Sequence, residues 1–203
     1  MVVGCGSQLS LKLFRDVIKK DFVAVAESMK EHIGLLNECF FMKNPLESNF
    51  VVFLDDVSAE RFLPSLLNSK LLVICCNRTP YQKFVRMAGE YGYSAAASLH
   101  NIEDLNKKIN KAISLPGLKY IEIFCPCPSE WDYDTSLTVD LSVAAGDSGI
   151  WPLFEIENRK VILGPRPAKL SVLESFHSIQ NKHQIEPKDV DARWKELINL
   201  SIK

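Results

Sequence analysis

Six cysteines are the side chains best suited to chemistry in this sequence: Cys5, Cys39, Cys75, Cys76, Cys125 and Cys127. Thiolates are nucleophiles and soft-metal ligands, so their spacing decides which chemistry is open. There are no paired C-x-x-C units, which argues against a structural zinc knuckle. Cys75 and Cys76 are adjacent in an apolar strand, so they face opposite sides of a sheet and cannot chelate one ion. Cys125-Pro126-Cys127-Pro128 follows an apolar run over 120–124. Prolines this close can neither serve a β-ladder nor continue a helix, so the chain leaves the sheet here as a stiff loop. A strand end, a stiff loop and a following helix N-terminus form the usual ligand-binding corner of an α/β protein. Nothing near Cys125 in sequence activates its thiol, which reads as a core group. The four histidines, His32, His100, His177 and His183, are scattered, with no metal spacing and no Ser-His-Asp arrangement. Asp55 and Asp56 close a strand and are placed to cap the next helix, Asn77 opens a turn, and Arg78 and Lys83 lie near the sheet edge, within reach of an anion or of solvent. Trp131, Trp151 and Trp194 read as anchors of core or interface contacts.

The elements that must position these groups alternate along the chain. Helices are expected over 8–20, 27–41, 58–67, 81–91 and 102–114. Strands are expected over 22–26, 49–54, 71–76, 93–99 and 120–124. Residues 129–131 extend the Cys-Pro loop, and Asp134 or Thr135 caps a helix to about residue 146. A strand over 153–157 turns at Asn158 into a hairpin with 160–163. Beyond a stiff Gly164-Pro165-Arg166-Pro167 linker come a short apolar element at 170–176, a loose polar stretch at 178–188 and a last helix over 189–202. Short connections between alternating strands and helices make neighbouring strands parallel, with helices on both faces. The fold class is therefore α/β, a doubly wound, mostly parallel sheet with a C-terminal helical arm. Residues 1–163 are expected to form the α/β domain and 164–203 a C-terminal extension.

Composition narrows the function. The chain has 203 residues, 47% of them hydrophobic and 24% charged, with a formal net charge of −1. That length builds a proper core. The near-neutral balance offers nothing to nucleic acid or an anionic membrane, so neither is expected as a partner. No apolar run is long enough to span a bilayer. No basic region precedes an apolar core at the start, so a cytoplasmic protein with reduced thiols is expected.

Pro126-Cys127-Pro128, the nearby Trp131 and the run Trp-Pro-Leu-Phe-Glu-Ile-Glu-Asn over 151–158 together carry a resemblance. In this order and spacing they resemble the β subunit, the thiamine-diphosphate subunit, of pyruvate and other 2-oxoacid:ferredoxin oxidoreductases. Residues 190–200 resemble that family's last helix. The resemblance implies a thiamine-diphosphate-binding fold. It implies that Asp55 and Asn77 stand where the family's diphosphate-bound magnesium is held, after a G-D-G turn and after the next strand. It also implies that Cys5 and Cys127 stand at two ligand positions of an iron–sulfur cluster.

The match is incomplete. Leu54-Asp55-Asp56-Val57 replaces the glycine turn that lets backbone amides approach a diphosphate. The other cluster positions fall at Val2 and near Met29, with Cys39 displaced, and the segment between Cys5 and Asp55 is shorter than in the family. Asp55, Asn77, Cys5 and Cys127 are therefore expected to be vestigial, and no cofactor is expected. The leading expectation is an accessory, non-catalytic subunit of such an oxidoreductase. Its partners would be the complex's other subunits, or a second copy through the fold's dimer surface. The alternatives are a competent thiamine-diphosphate and magnesium subunit, or a metal or redox module built on Cys5, Cys125 and Cys127.

Overall fold

A computed structural model of the chain describes residues 6–7, 9–10, 23–25, 50–167 and 173–202. The expected helices over 8–20 and 27–41 lie outside these residues, except that residues 9 and 10 are helical. Cys5, Cys39, Val2 and Met29 also lie outside them.

The described strands are β1 (Val23–Val25), β2 (Phe50–Asp55), β3 (Leu72–Asn77), β4 (Gly92–Ser98), β5 (Leu118–Phe124), β6 (Phe154–Glu157) and β7 (Lys160–Leu163). They form a seven-stranded sheet in the order β1-β2-β3-β5-β4-β6-β7. The first five run parallel, and β6 and β7 are antiparallel. The doubly wound, mostly parallel sheet read from the alternation is what the chain builds. Strand β3, L-V-I-C-C-N, is buried along its whole length, as a central parallel strand must be.

Helices cover both faces. On one, α1 (Asp56–Leu66) and α2 (Val85–Gly89) contribute Ala59, Leu63, Val85 and Ala88 to a core with Val73, Cys75 and Tyr120. On the other, α3 (Ile102–Ser114) packs Leu105, Ile109 and Ala112 on Ile74, Cys76 and Ile121. Asn101 caps α3 by accepting from the Asp104 N–H at 3.0 Å.

Two expected boundaries shift for local reasons. The helix read over 81–91 begins only at Val85, because Asn77 and Thr79 occupy the Tyr81 carbonyl that the Val85 N–H would need and Glu122 takes the Phe84 N–H. Residues 129–131 are not loop: α4 (Pro128–Trp131) is a helical turn, with proline in its first turn where no N–H is needed. A 3-10 turn, Thr135–Leu137, capped by Asp134, then leads into α5 (Thr138–Asp147). The β6–β7 hairpin turns through Asn158 and Arg159, both with positive φ (51° and 63°), the pairing that a two-residue hairpin requires.

After β7, α6 (Glu174–Ile179) and α7 (Pro187–Ser201) return to the carboxyl edge of the sheet. The stretch read as loose is ordered by Gln180, whose Oε1 accepts from the N–H groups of Lys182 (3.0 Å) and His183 (2.7 Å). A third core forms here from Phe124, Trp131, Trp151, Phe176, Val190 and Trp194. Trp131 sets its ring edge-on to Phe124 at 5.5 Å and to Phe176 at 5.9 Å. Trp194 is 2% exposed and donates its indole N–H to the Gly149 carbonyl at 2.9 Å. Trp194→Ala would leave a large cavity and an unpaired carbonyl. It is expected to cost about 3–5 kcal/mol, measured by urea unfolding followed by circular dichroism.

Candidate functional site

The carboxyl ends of β2, β3 and β5 share one edge, where Asp55 pairs with Cys76 and Asn77 with Phe124 in the strand register. Four groups, two from the β2–α1 junction and two from the α4 turn, meet there around Arg78. Asp55 caps α1, its Oδ1 accepting from the Ser58 N–H at 2.8 Å, and its Oδ2 lies 3.6 Å from Arg78 Nη2. The buried Asp56 accepts from Arg78 Nε at 2.8 Å and from its backbone N–H at 3.4 Å. Glu130, on α4, takes Arg78 Nη1 at 2.5 Å. Trp131 donates its indole N–H to the Arg78 carbonyl at 2.6 Å, so the α4 turn grips Arg78 at both side chain and backbone. Burial pulls the guanidinium's pKa down, but the Asp56 hydrogen bond and the charges of Asp56, Glu130 and Asp55 outweigh it, and the net shift is upward.

Asn77 stands beside this cluster, fully buried. Its Oδ1 accepts from the N–H and hydroxyl of Thr79 at 2.7 and 2.8 Å, and its Nδ2 donates to the Tyr81 carbonyl at 2.7 Å and to Glu122 Oε1 at 2.5 Å. Glu122, fully buried in mid-strand β5, also accepts from the N–H groups of Lys83 (3.2 Å) and Phe84 (3.1 Å) and from the Tyr120 hydroxyl at 3.2 Å. Burial raises its pKa, against the opposing pull of these donors. Sequence reading passed over Glu122, although a lone carboxylate in the run Tyr-Ile-Glu-Ile-Phe was a signal. A charge in the middle of a central strand must be buried and must be answered.

The thiols divide. Cys75, Cys76 and Cys125 are buried. Burial pushes the Cys75 thiol up, with the Glu122 charge adding to it, and pushes Cys125 up as well. Cys125 Sγ lies 3.0 Å from the Ser10 hydroxyl, and Gly6 donates its N–H to the Pro126 carbonyl at 3.2 Å. A Cβ on Gly6 would fall 2.6 Å from Cys125 Cα, so glycine is needed for this close approach. The segment carrying Gly6 thus docks on the Cys-Pro corner. Cys127 is half-buried, its sulfur 3.2 Å from the Ser129 hydroxyl.

These side chains do not fit a magnesium diphosphate. Oxygen donors are what a hard cation takes, yet Asn77 Oδ1 already accepts twice and Asp56 is bound to a guanidinium. Three carboxylates meet one arginine at this edge, which leaves no excess positive charge for a polyanion. Among the described residues, no group of three or more His, Cys, Asp or Glu is arranged around a common metal position. Of the residues singled out from the sequence, the strand ends bring Asp55 and Asn77 to one edge, Arg78 meets carboxylates of this chain, and Lys83 lies 3.9 Å from Glu60 at the surface.

Two outcomes follow. Glu122 binds its proton more tightly in the folded chain than in the unfolded one. Its stabilising share is therefore full below the unfolded glutamate value of about 4.3 and is lost as pH rises through its raised folded value. The stability of wild type minus that of Glu122→Gln should fall across that rise, measured by urea unfolding at stepped pH. Iodoacetamide should label Cys127 in the native protein and Cys75, Cys76 and Cys125 only after unfolding, mapped by peptide mass spectrometry.

No family model matches the chain. Individual relatives do. It is 33% identical over 92 residues to the pyruvate synthase subunit PorB of Methanocaldococcus jannaschii, covering 45% of this chain and 31% of that one. It is 35% identical over 106 residues to the ketoisovalerate oxidoreductase subunit VorB of Pyrococcus horikoshii, covering 51% and 34%. The chain thus matches about a third of the length of these curated relatives. Among solved structures, a 2-oxoglutarate:ferredoxin oxidoreductase from Magnetococcus marinus superposes with a TM-score of 0.49 at 13% identity, over 95% of this chain and 91% of that one. The resemblance read from the Pro-Cys-Pro and Trp-Pro motifs is borne out: over about half its length, this chain is a homologue of the PorB and VorB subunits of pyruvate synthase and ketoisovalerate oxidoreductase.

Proposed function

We propose that the chain is an accessory, non-catalytic subunit of a cytoplasmic 2-oxoacid:ferredoxin oxidoreductase of the pyruvate type. In this reading its thiamine-diphosphate fold is kept for assembly with the complex's other subunits, pairing through the fold's dimer surface. The homology supplies the complex. One observation carries the loss of catalysis: Arg78 sits among Asp55, Asp56 and Glu130 at the strand ends, beside an Asn77 whose side-chain oxygen is already spent. Asp55, Asn77, Cys5 and Cys127 are then relics of ligand positions.

Described helices give the chain no segment long and apolar enough to cross a membrane. Tagged protein, purified from its native cells, is expected to bring down oxidoreductase subunits. Calorimetry with thiamine diphosphate and magnesium should give no heat from the chain alone, and the complex should titrate only to the number of its other thiamine sites. A solitary monomer in the pull-down would end the accessory reading. One extra thiamine site per copy of this chain would instead establish the competent subunit, and iron or zinc bound through Cys5, Cys125 and Cys127 would establish the metal module.

A further inference from the structure

We infer that the outer face of α5 is an interface: it takes an amphipathic helix of another protein, apolar along one face and flanked by lysine or arginine. Helix α5, T-V-D-L-S-V-A-A-G-D, carries two charged residues, Asp140 and Asp147. It buries Leu141 and Ala145 in the aromatic core. Its far side is apolar again, with Val139 48% and Val143 38% exposed. By contrast, α3 turns Glu103 and Lys107 to solvent, and α7 turns Lys188, Lys195 and Glu196. A helix that is apolar on both sides is suited to being covered on both sides.

Beside Val143 a groove of about 420 Å³ lies between α5 and α6. Val143, Ala144 and Ile179 form its apolar part, and Asp140, Asp147 and Glu174 its charged part. None of these three carboxylates has an ion pair among the described residues. Charge and length select the occupant. The negative rim repels a nucleic acid or an anionic membrane and favours a cationic partner. A partner that covered the carboxylates without answering them would leave buried, unpaired charge. The apolar stripe continues past the groove to Val139, one turn back along α5, so the occupant is longer than a small molecule. A helix ridge is the shape that a groove between two helices receives. A second copy docked by two-fold symmetry on this face would set Asp140 and Asp147 against their own counterparts, which like charges oppose.

This inference does not require the partner to be an oxidoreductase subunit, so it and the accessory reading can fail separately. Tagged full-length chain is purified from its native cells with its bound partner. Hydrogen exchange of that complex is compared with the chain alone. Protection is expected over 138–147 and 174–179, and in a basic, helical segment of the partner. Val143→Lys is expected to keep the circular dichroism of wild type and to recover about a tenth of the partner. If Val143→Lys does not fold, Asp140→Lys/Asp147→Lys, which reverses two exposed charges, is used with the same expectation. The inference is overturned if the chain is recovered alone, if 138–147 exchange alike in both samples, if the variant keeps its partner, or if the protected partner segment is acidic, not helical or part of a second copy. Oxidoreductase subunits held elsewhere on the chain would uphold the accessory reading and overturn this one. A basic helix on α5 from a protein outside any oxidoreductase would do the reverse.

Discussion

Carboxylates held out of water at the carboxyl edge of a parallel sheet set the terms for everything around them. Glu122 is fully buried, and Asp56 nearly so. An ionised carboxylate in such a place is tolerated only where donors converge on it. Glu122 receives an amide, a hydroxyl and two backbone N–H groups, and the two backbone donors come from the residues just before α2. That demand fixes the path of the chain after β3 and delays the helix to Val85. Asn77, the residue before Arg78, serves Glu122 with its nitrogen and the Thr79 turn with its oxygen.

The C-terminal arm is bound to the same edge. Arg193, on α7, donates to the carbonyls of Pro80 and Ile150 at 3.1 and 2.5 Å and lies over the Tyr81 ring, so it touches the loop that Glu122 and Asn77 shape. Trp194 beside it closes the aromatic core under α4 and α5. Helix α4 faces both ways: Trp131 enters that core, and Glu130 reaches Arg78. Aromatic packing thereby holds Glu130 within reach of the guanidinium, and the polar cluster inherits its rigidity from an apolar one.

Much of this was legible from residue types. The period of strand and helix, the capping role of Asp55, the Asn158 turn and the final helix all came from local rules, and local contacts decide them. The pairing of Arg78 did not. Its partners Asp56 and Glu130 lie 22 and 52 residues away, and no local pattern says which cation will meet which carboxylate across a sheet edge. The late start of α2 was hidden for the same reason, since the competing acceptor sits on β5. Gln180 shows the opposite error: a polar stretch was read as loose because its residues are hydrophilic, whereas one buried amide organises it.

The motif that carries most of the resemblance is occupied throughout with building the fold. Trp151 donates its indole N–H to the Ala97 carbonyl at 2.7 Å and packs on Phe124 at 5.1 Å. The Pro152 carbonyl accepts from Gln82, and the Leu153 carbonyl from Gly164. Phe154 and Ile156 face the core under α2, while Glu155 meets Tyr93 and Lys111. Asn158 opens the hairpin. Each of these residues works on packing, a ladder or a turn, so the run can persist wherever the fold persists. Asp55, Asp56 and Asn77 answer to a different constraint: the two carboxylates are balanced by Arg78, and the Asn77 amide is satisfied by Thr79, both from within the chain. Likeness in the Trp-Pro run is therefore an argument about architecture and common origin, and it carries no weight on whether a diphosphate is bound.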